Sequence, residues 1–286
     1  MTEPDPPLRR PPDARPRRDG ARDEPAPPDE AEALAIEGQL TSLTELAGAT
    51  VEAGPGSGAR ILHWPGRGLG FNHAVEPRWT ADGWRPGAAA LAEHFRSQGE
   101  LPAIALLEAT ARPEGLAGSL AGAGWIPVAR EAVLWTRRAG VVPHLDPGLR
   151  IESLTAARAG EYEAVERSIF GLGPREAPDR LASLEAGLAA GRLRAYLVRL
   201  HDTPIATARL VPGPGVAALQ GVGVVPARRR QGYGSLITTI ATRAGLATGH
   251  RLVWLAVDAD DAAAQALYRG LDYRPFSDWV RLVLPA

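Results

Sequence analysis

The order of strand and helix signals predicts a layered α/β protein built on a sheet of mixed direction. Three observations carry this. Short runs of apolar β-formers alternate with amphipathic helical stretches from residue 149 onward. Two of those runs, RAYLVRL and PIATARLV, are joined by the short turn HDT and read as a hairpin. A third strand, VAALQGVGV, follows the hairpin directly, and the next strand signal, RLVWLAV, lies beyond a helix, as a crossover requires.

Taken along the chain, residues 1–30 hold nine of the 26 prolines, six arginines and eight acids, with almost nothing to bury. Such a segment cannot offset its ordering entropy and is expected to be a disordered tail. Residues 31–140 form a candidate folded unit. Helical signals lie in DEAEALAIEGQLTSLTELAG and GAAALAEHFRSQG, and strand signals in ARILHW, PAIALLE and PVAREAVLWTR. Five of the seven tryptophans fall here, enough apolar area for a core. Residues 141–148 belong to the Pro/Gly-rich stretch AGVVPHLDPG, which reads as a linker.

The second unit, 149–286, opens on the strand LRIESL. The helices TAARAGEYEAVERSIF and APDRLASLEAGLAAG follow, then the hairpin and the strand VAALQGVGV. The helix GSLITTIATRAGLATG, strand RLVWLAV, helix DDAAAQALYRG and one or two strands in YRPFSDWVRLVLP complete it.

Composition excludes several chemistries. All 32 basic residues are arginine, so a G-x-x-x-x-G-K-[ST] phosphate loop and a lysine Schiff base are both impossible. Without cysteine there is no disulfide, thiol nucleophile or thiolate metal site. The six histidines show no ligand spacing, so no metal is expected. A net charge of −1 argues against a broad grip on nucleic acid or an anionic membrane. No apolar run reaches the roughly 18 residues of a membrane span, and the N-terminus lacks a secretory signal, so a cytoplasmic protein is expected.

The most informative stretch is VVPARRRQGYG, 224–234. Pro226 has no N–H and should end ladder pairing, while Gly221 and Gly223 suggest a bulge that widens the gap to the next strand. The helix that follows offers unpaired N–H groups at the positive end of its dipole. Gly232 and Gly234 are expected to let an anion approach the backbone, with Arg228, Arg229 and Arg230 adding charge. GVGVVP brushes against a dinucleotide fingerprint but lacks its third glycine and is interrupted by proline. The arginine run alone, without interleaved aromatics, is a poor nucleic-acid patch.

Arg229-x-x-Gly232-x-Gly234, preceded by Val224-x-Pro226, resembles the acyl-CoA pyrophosphate loop of the GNAT superfamily of N-acyltransferases. VDADDAAAQALYRGLDY, 257–273, resembles its second signature, V-x-x-x-N-x-x-A-x-x-L-Y-x-x-x-G-[FY]. Ala264, Leu267, Tyr268 and Tyr273 fall on pattern; Asp261 replaces the usual asparagine and Asp272 the usual glycine. The resemblance covers roughly 149–284. It implies a GNAT-like, mostly antiparallel central sheet with flanking helices.

It also implies that Arg229, Arg230, Gln231, Gly232, Tyr233, Gly234 and Ser235 hold the pyrophosphate of acetyl-CoA or another acyl-CoA. Val222, Gly223 and Val224 would align its pantetheine, with Asp261, Ala264 and Tyr268 on the facing helix. Tyr268 would be the general acid that reprotonates the departing thiolate. The acceptor would be a primary amine on a small molecule, peptide or protein, attacking directly. The family's frequent glutamate on the strand before the loop has no counterpart in VAALQGVGV. Glu161, Glu163, Glu166, His201 or a solvent relay are the candidates for the base. The missing glutamate and Asp261 also leave open a non-catalytic CoA-binding sensor or scaffold. The order of elements in 31–140 looks like a degenerate copy of the same fold or an accessory α/β domain; GRGLG, 66–70, is its nearest fragment to the phosphate loop.

Overall fold

A computed structural model describes residues 24–46, 49–55, 58–64, 72–142, 147–175 and 177–285, without the side chains of 42–46. The tail over 1–23, the fragment at 66–70 and His144 lie outside the described residues. Helix α1, Glu30–Leu46, starts at a reciprocal cap. Asp29 Oδ1 accepts the Glu32 N–H at 2.8 Å, and the Glu32 carboxylate accepts the Asp29 N–H at 3.0 Å. Then follow β1 (Thr50–Ala53), β2 (Arg60–His63), β3 (His73–Val75), α2 (Trp84–Ser97), β4 (Ala103–Leu107), α3 (Leu116–Gly122) and β5 (Ile126–Thr136). The second half runs β6 (Leu149–Ser153), α4 (Ala159–Phe170), α5 (Ala177–Ala189), β7 (Arg194–Leu200), β8 (Thr203–Pro212), β9 (Val216–Val224), α6 (Tyr233–Ala247), β10 (Leu252–Asp258), α7 (Ala262–Arg269) and β11 (Arg274–Val283). The four-residue β1, with no apolar alternation, gave no strand signal in the sequence.

All eleven strands join one mostly antiparallel sheet in the order β1-β2-β3-β4-β11-β5-β10-β9-β8-β7-β6. Each half contributes one parallel pair, β3 with β4 and β9 with β10. At the centre the halves exchange their last strands. β5 pairs with β10 over Glu131–Thr136, while β11 pairs with β4 over Ala103–Leu107. β5 and β11 then run antiparallel against each other. The inner end of β5 is buried because Val133, Leu134 and Trp135 are apolar on both faces, the pattern of a central strand.

Apolar clusters form on both faces. One gathers Ile36 of α1, Tyr162 and Val165 of α4, Leu184 of α5, and Val133, Trp135 and Trp254 of the sheet. The opposite face of the second half packs Leu236, Ile237 and Ala241 of α6 and Tyr268 of α7 onto Val253 and Leu255. A third cluster joins Leu91 and Phe95 of α2 with Leu120 of α3.

Helix α1 opens the first half, where Glu37 pairs with Arg78, and it also seats on the second. Gln39 accepts the Trp254 indole N–H at 2.7 Å and donates to the Val211 carbonyl at 2.9 Å. Buried Glu32 takes two hydrogen bonds from Arg137, at 2.8 and 2.7 Å, with Arg251 at 3.3 Å. Those bonds hold its carboxyl below the usual range against the opposing pull of burial.

Candidate active site

The parallel pairing of β9 with β10 spans only Val216–Ala218 against Leu252–Trp254. Beyond it the strands part. The sequence places the separation at Pro226; it begins several residues earlier. The cause is a bulge: Thr207 of β8 faces Gly223 and Arg209 faces Gln220, so β9 carries an extra residue there. Gly221 sits in the bulge with φ +55, a backbone region that favours glycine. A β-carbon on it would stand 2.5 Å from Glu166 Oε1. Gly223 and Val224 therefore pair with β8 on one side only, and Val222 lies within the bulge.

After a single 3-10 turn over Pro226–Arg228 the chain enters α6. Arg230 and Gly232 both take positive φ, +62 and +85, which turns this segment into the helix. Among the described residues, none accepts from the backbone N–H groups of Arg230, Gln231, Gly232, Tyr233, Gly234 or Ser235. These amides and the helix dipole form a site suited to an anion. The two glycines differ in role. A β-carbon at Gly232 would meet nothing within 4 Å, so this residue serves the backbone turn and leaves the mouth open. At Gly234 it would lie 3.1 Å from Leu267 Cδ1, so this glycine lets α7 pack close. Leu267 is half-buried, packed between Gly234 and the apolar cluster of α6 and α7.

Arg229 does not reach into the mouth. Its Nε donates to the Val224 carbonyl at 3.1 Å and one terminal nitrogen to the Ile169 carbonyl at 3.1 Å, pinning the loop to β9 and to α4. Arg230 and Gln231 are exposed beside it, and Tyr233 is buried in the α6 cluster.

Across the cleft, Asp261 caps α7 and accepts the Ala264 N–H at 2.9 Å. One role open to a carboxylate at this position is thus structural. Tyr268 lies two turns further on the same helix face, 9% exposed. Burial, reinforced by Asp261, pushes its phenol up to about 12. Its ring packs at 5.9 Å against Tyr273, whose hydroxyl pairs with Thr242 at 2.7 Å. A phenol so held keeps its proton at neutral pH.

The proposed bases are mostly committed elsewhere. Glu161 pairs with Arg158 and Arg199, Glu163 with Arg180 at 3.0 Å, and Glu166 with Arg209 at 3.0 Å. His201 stands in the β7–β8 turn against Gly148, its N–H donating to that residue's carbonyl. A cavity of about 290 Å³ opens between the parted strands. Its walls include Gln220 and Gly221 of β9, Trp254 and Ala256 of β10, Arg209 of β8, Leu40 of α1 and Glu131 of β5. Glu131 is a site residue the sequence reading missed, since nothing in AREAVLW announces that β5 crosses into the other half. Among the described residues no cluster of His, Asp and Glu could hold a metal.

The first half repeats this plan and blocks it. Pro77, Gly83 and Trp84 lead into α2 at the spacing with which Pro226, Gly232 and Tyr233 lead into α6. Here the Gly83 N–H is already taken by the Thr80 hydroxyl at 3.1 Å, and Pro86 removes a further donor from the first turn. β3 and β4 bridge again at Arg78 and Arg112 instead of staying apart. The Trp79 N–H reaches the Arg112 carbonyl at 3.2 Å, closing the gap a cofactor arm would need.

The acetyltransferase (GNAT) family model matches residues 161–273, a span holding the bulged strand, the loop and both α6 and α7. Residues 161–273 are a GNAT domain. Among solved structures, a GCN5-related N-acetyltransferase from Kribbella flavida is 24% identical, with TM-score 0.66 over 88% of this chain and 97% of that one. A GCN5-related N-acetyltransferase from Sphaerobacter thermophilus is 16% identical, with TM-score 0.60 over 91% and 95%. A tandem GNAT protein from the clavulanic acid biosynthesis pathway is 17% identical, with TM-score 0.59 over 79% and 77%. These likenesses establish the fold, and they extend the GNAT architecture over both halves of this chain. No curated protein matches it.

Proposed function

We propose that the protein is an N-acetyltransferase that moves the acetyl group of acetyl-CoA, or the acyl group of another acyl-CoA, to a primary amine by direct attack. The single observation that carries this reading is the cleft: a strand freed on one side by its bulge leads into six amides at a helix N-terminus that no described residue accepts from. In this reading the amides of 230–235 hold the pyrophosphate, and Val222–Val224 pair with the pantetheine as an added strand would. Arg229 shapes the loop from behind, while Arg228 and Arg230 supply charge at its rim. A β9 N–H polarises the thioester carbonyl, and Tyr268 returns a proton to the thiolate. The first half, its own loop blocked, walls the acceptor side. Among the described residues no helix is long and apolar enough to cross a membrane, and the protein is proposed to work in the cytoplasm without metal, nucleic acid or membrane.

The second reading is a sensor or scaffold that binds coenzyme A without turnover; the capping role of Asp261 favours it only as far as that side chain is occupied. Calorimetry with coenzyme A, followed by thiol release across a panel of primary amines, separates the two. Binding with amine-dependent thiol release supports the enzyme. Binding with no release, unchanged in Tyr268→Phe, supports the sensor, and the absence of any binding heat removes both.

A further inference from the structure

We propose that Glu131, carried into the cleft on the exchanged strand β5 of the first half, is the proton acceptor for the amine substrate of the second half. This rests on the acyltransferase reading above and adds to it the residue that the sequence of the GNAT domain lacks.

Four observations support it. First, Glu131 is the only carboxylate among the described residues lining the cavity between β9 and β10. Second, among the described residues it forms no ion pair, whereas Glu161, Glu163 and Glu166 are each held by arginine. A carboxylate locked to a guanidinium is a poor base; one facing a cavity without a partner is free to take a proton. Third, the sheet register fixes its position. Glu131 stands opposite Asp258, at the C-terminal end of β10, just before the chain turns into α7. Its strand neighbours Val133 and Trp135 belong to the apolar cluster under α1 and α4, whereas Tyr268 belongs to the cluster on the other face. The acceptor and donor of protons thus approach the cleft from opposite faces of the sheet.

The fourth observation is environmental. Burial raises the Glu131 carboxyl, Asp258 of β10 adds to the rise, and Arg281 of β11 opposes it. The other charged group facing the cavity is Arg209 of β8, which is bound to Glu166; β9 contributes Gln220, and α1 contributes Leu40. A carboxyl raised toward the working pH is better matched to accept an amine proton. At about 290 Å³ the cavity is at the small end of ligand sites, so the acceptor is a small amine or an unhindered aminoalkyl end of a larger one.

The proton balance closes. An ammonium gives one proton to Glu131, which passes it to solvent. The freed nitrogen lone pair forms the C–N bond as the C–S bond breaks and the thiolate leaves. Tyr268 protonates that thiolate. The second nitrogen proton, released as the amide forms, restores the phenol.

The test uses the full chain with acetyl-CoA and small primary amines such as ethanolamine and putrescine. Glu131→Gln is expected to bind coenzyme A within about twofold of wild type. Its kcat/KM for amine at neutral pH is expected to fall by about 100-fold or more. That loss should shrink as pH rises toward the amine's own pKa, where solvent supplies free amine, and Glu131→Asp should recover part of it. Unchanged kcat/KM in Glu131→Gln overturns the inference while leaving the acyltransferase reading intact. A loss of equal size at every pH also overturns it, because that marks a packing defect. Wild type that binds coenzyme A but acetylates no amine overturns both together.

Discussion

Gly232 and Gly234 look alike in the sequence and differ in the fold, which makes them a sharp test at the scale of single residues. Gly232→Ala places a side chain at φ +85, a strain of about 1–2 kcal/mol, and shifts the amides that face the cleft. Lower unfolding free energy and weaker coenzyme A binding are both expected, read by urea denaturation and calorimetry. Gly234→Ala gains helix propensity of about 1 kcal/mol but must push Leu267 aside from 3.1 Å. These offset, so both measurements should stay within about 1 kcal/mol of wild type. Tyr268 gives the corresponding kinetic test. In Tyr268→Phe the ring still packs against Tyr273, so binding persists, while the rate of thiol release should drop by about 100-fold or more.

Among the elements, α6 and α2 show what a sequence reveals and what it hides. The loop before α6 was legible because its chemistry is written in local residues: Pro226 stops the strand, and the glycines allow the turn. The amphipathic helices and the hairpin were legible for the same reason, since their periodicities are local. The blocked loop before α2 was harder, because Thr80 and Pro86 act only through contacts that the fold makes. Arg229, apparently free in the sequence, binds two carbonyls, one of them 60 residues away. Strand exchange was invisible, since pairing between β5 and β10 depends on partners more than a hundred residues apart. That exchange makes a direct prediction at this scale. A fragment of residues 149–286 leaves β11 without β4 and β5, exposing the apolar strand edges around Trp279 and Val280. Gel filtration and circular dichroism should find it aggregated or unfolded, and co-expression with the first half should restore a soluble complex. A monomeric, cooperatively folded fragment would show that the central pairing is dispensable.

At the scale of the whole molecule, the buried tyrosines link stability to alkaline pH. Burial raises the phenols of Tyr162, Tyr268 and Tyr273 above their unfolded value of about 10. A raised folded pKa means the native state keeps protons that the unfolded chain has lost. The stabilisation is therefore complete below about pH 10 and declines as pH climbs through and beyond it. Each tyrosine contributes a slope of up to about 1.4 kcal/mol per pH unit. Urea midpoints should fall between pH 9 and pH 11, and fall less in Tyr268→Phe; a flat profile would show that these rings are hydrated.

The central exchange of strands makes the two halves mutually dependent. Because each copy is completed by the final strand of its sibling, neither is spare. The half whose loop has closed cannot be trimmed away without uncovering the edges of β10 and β11 in the other.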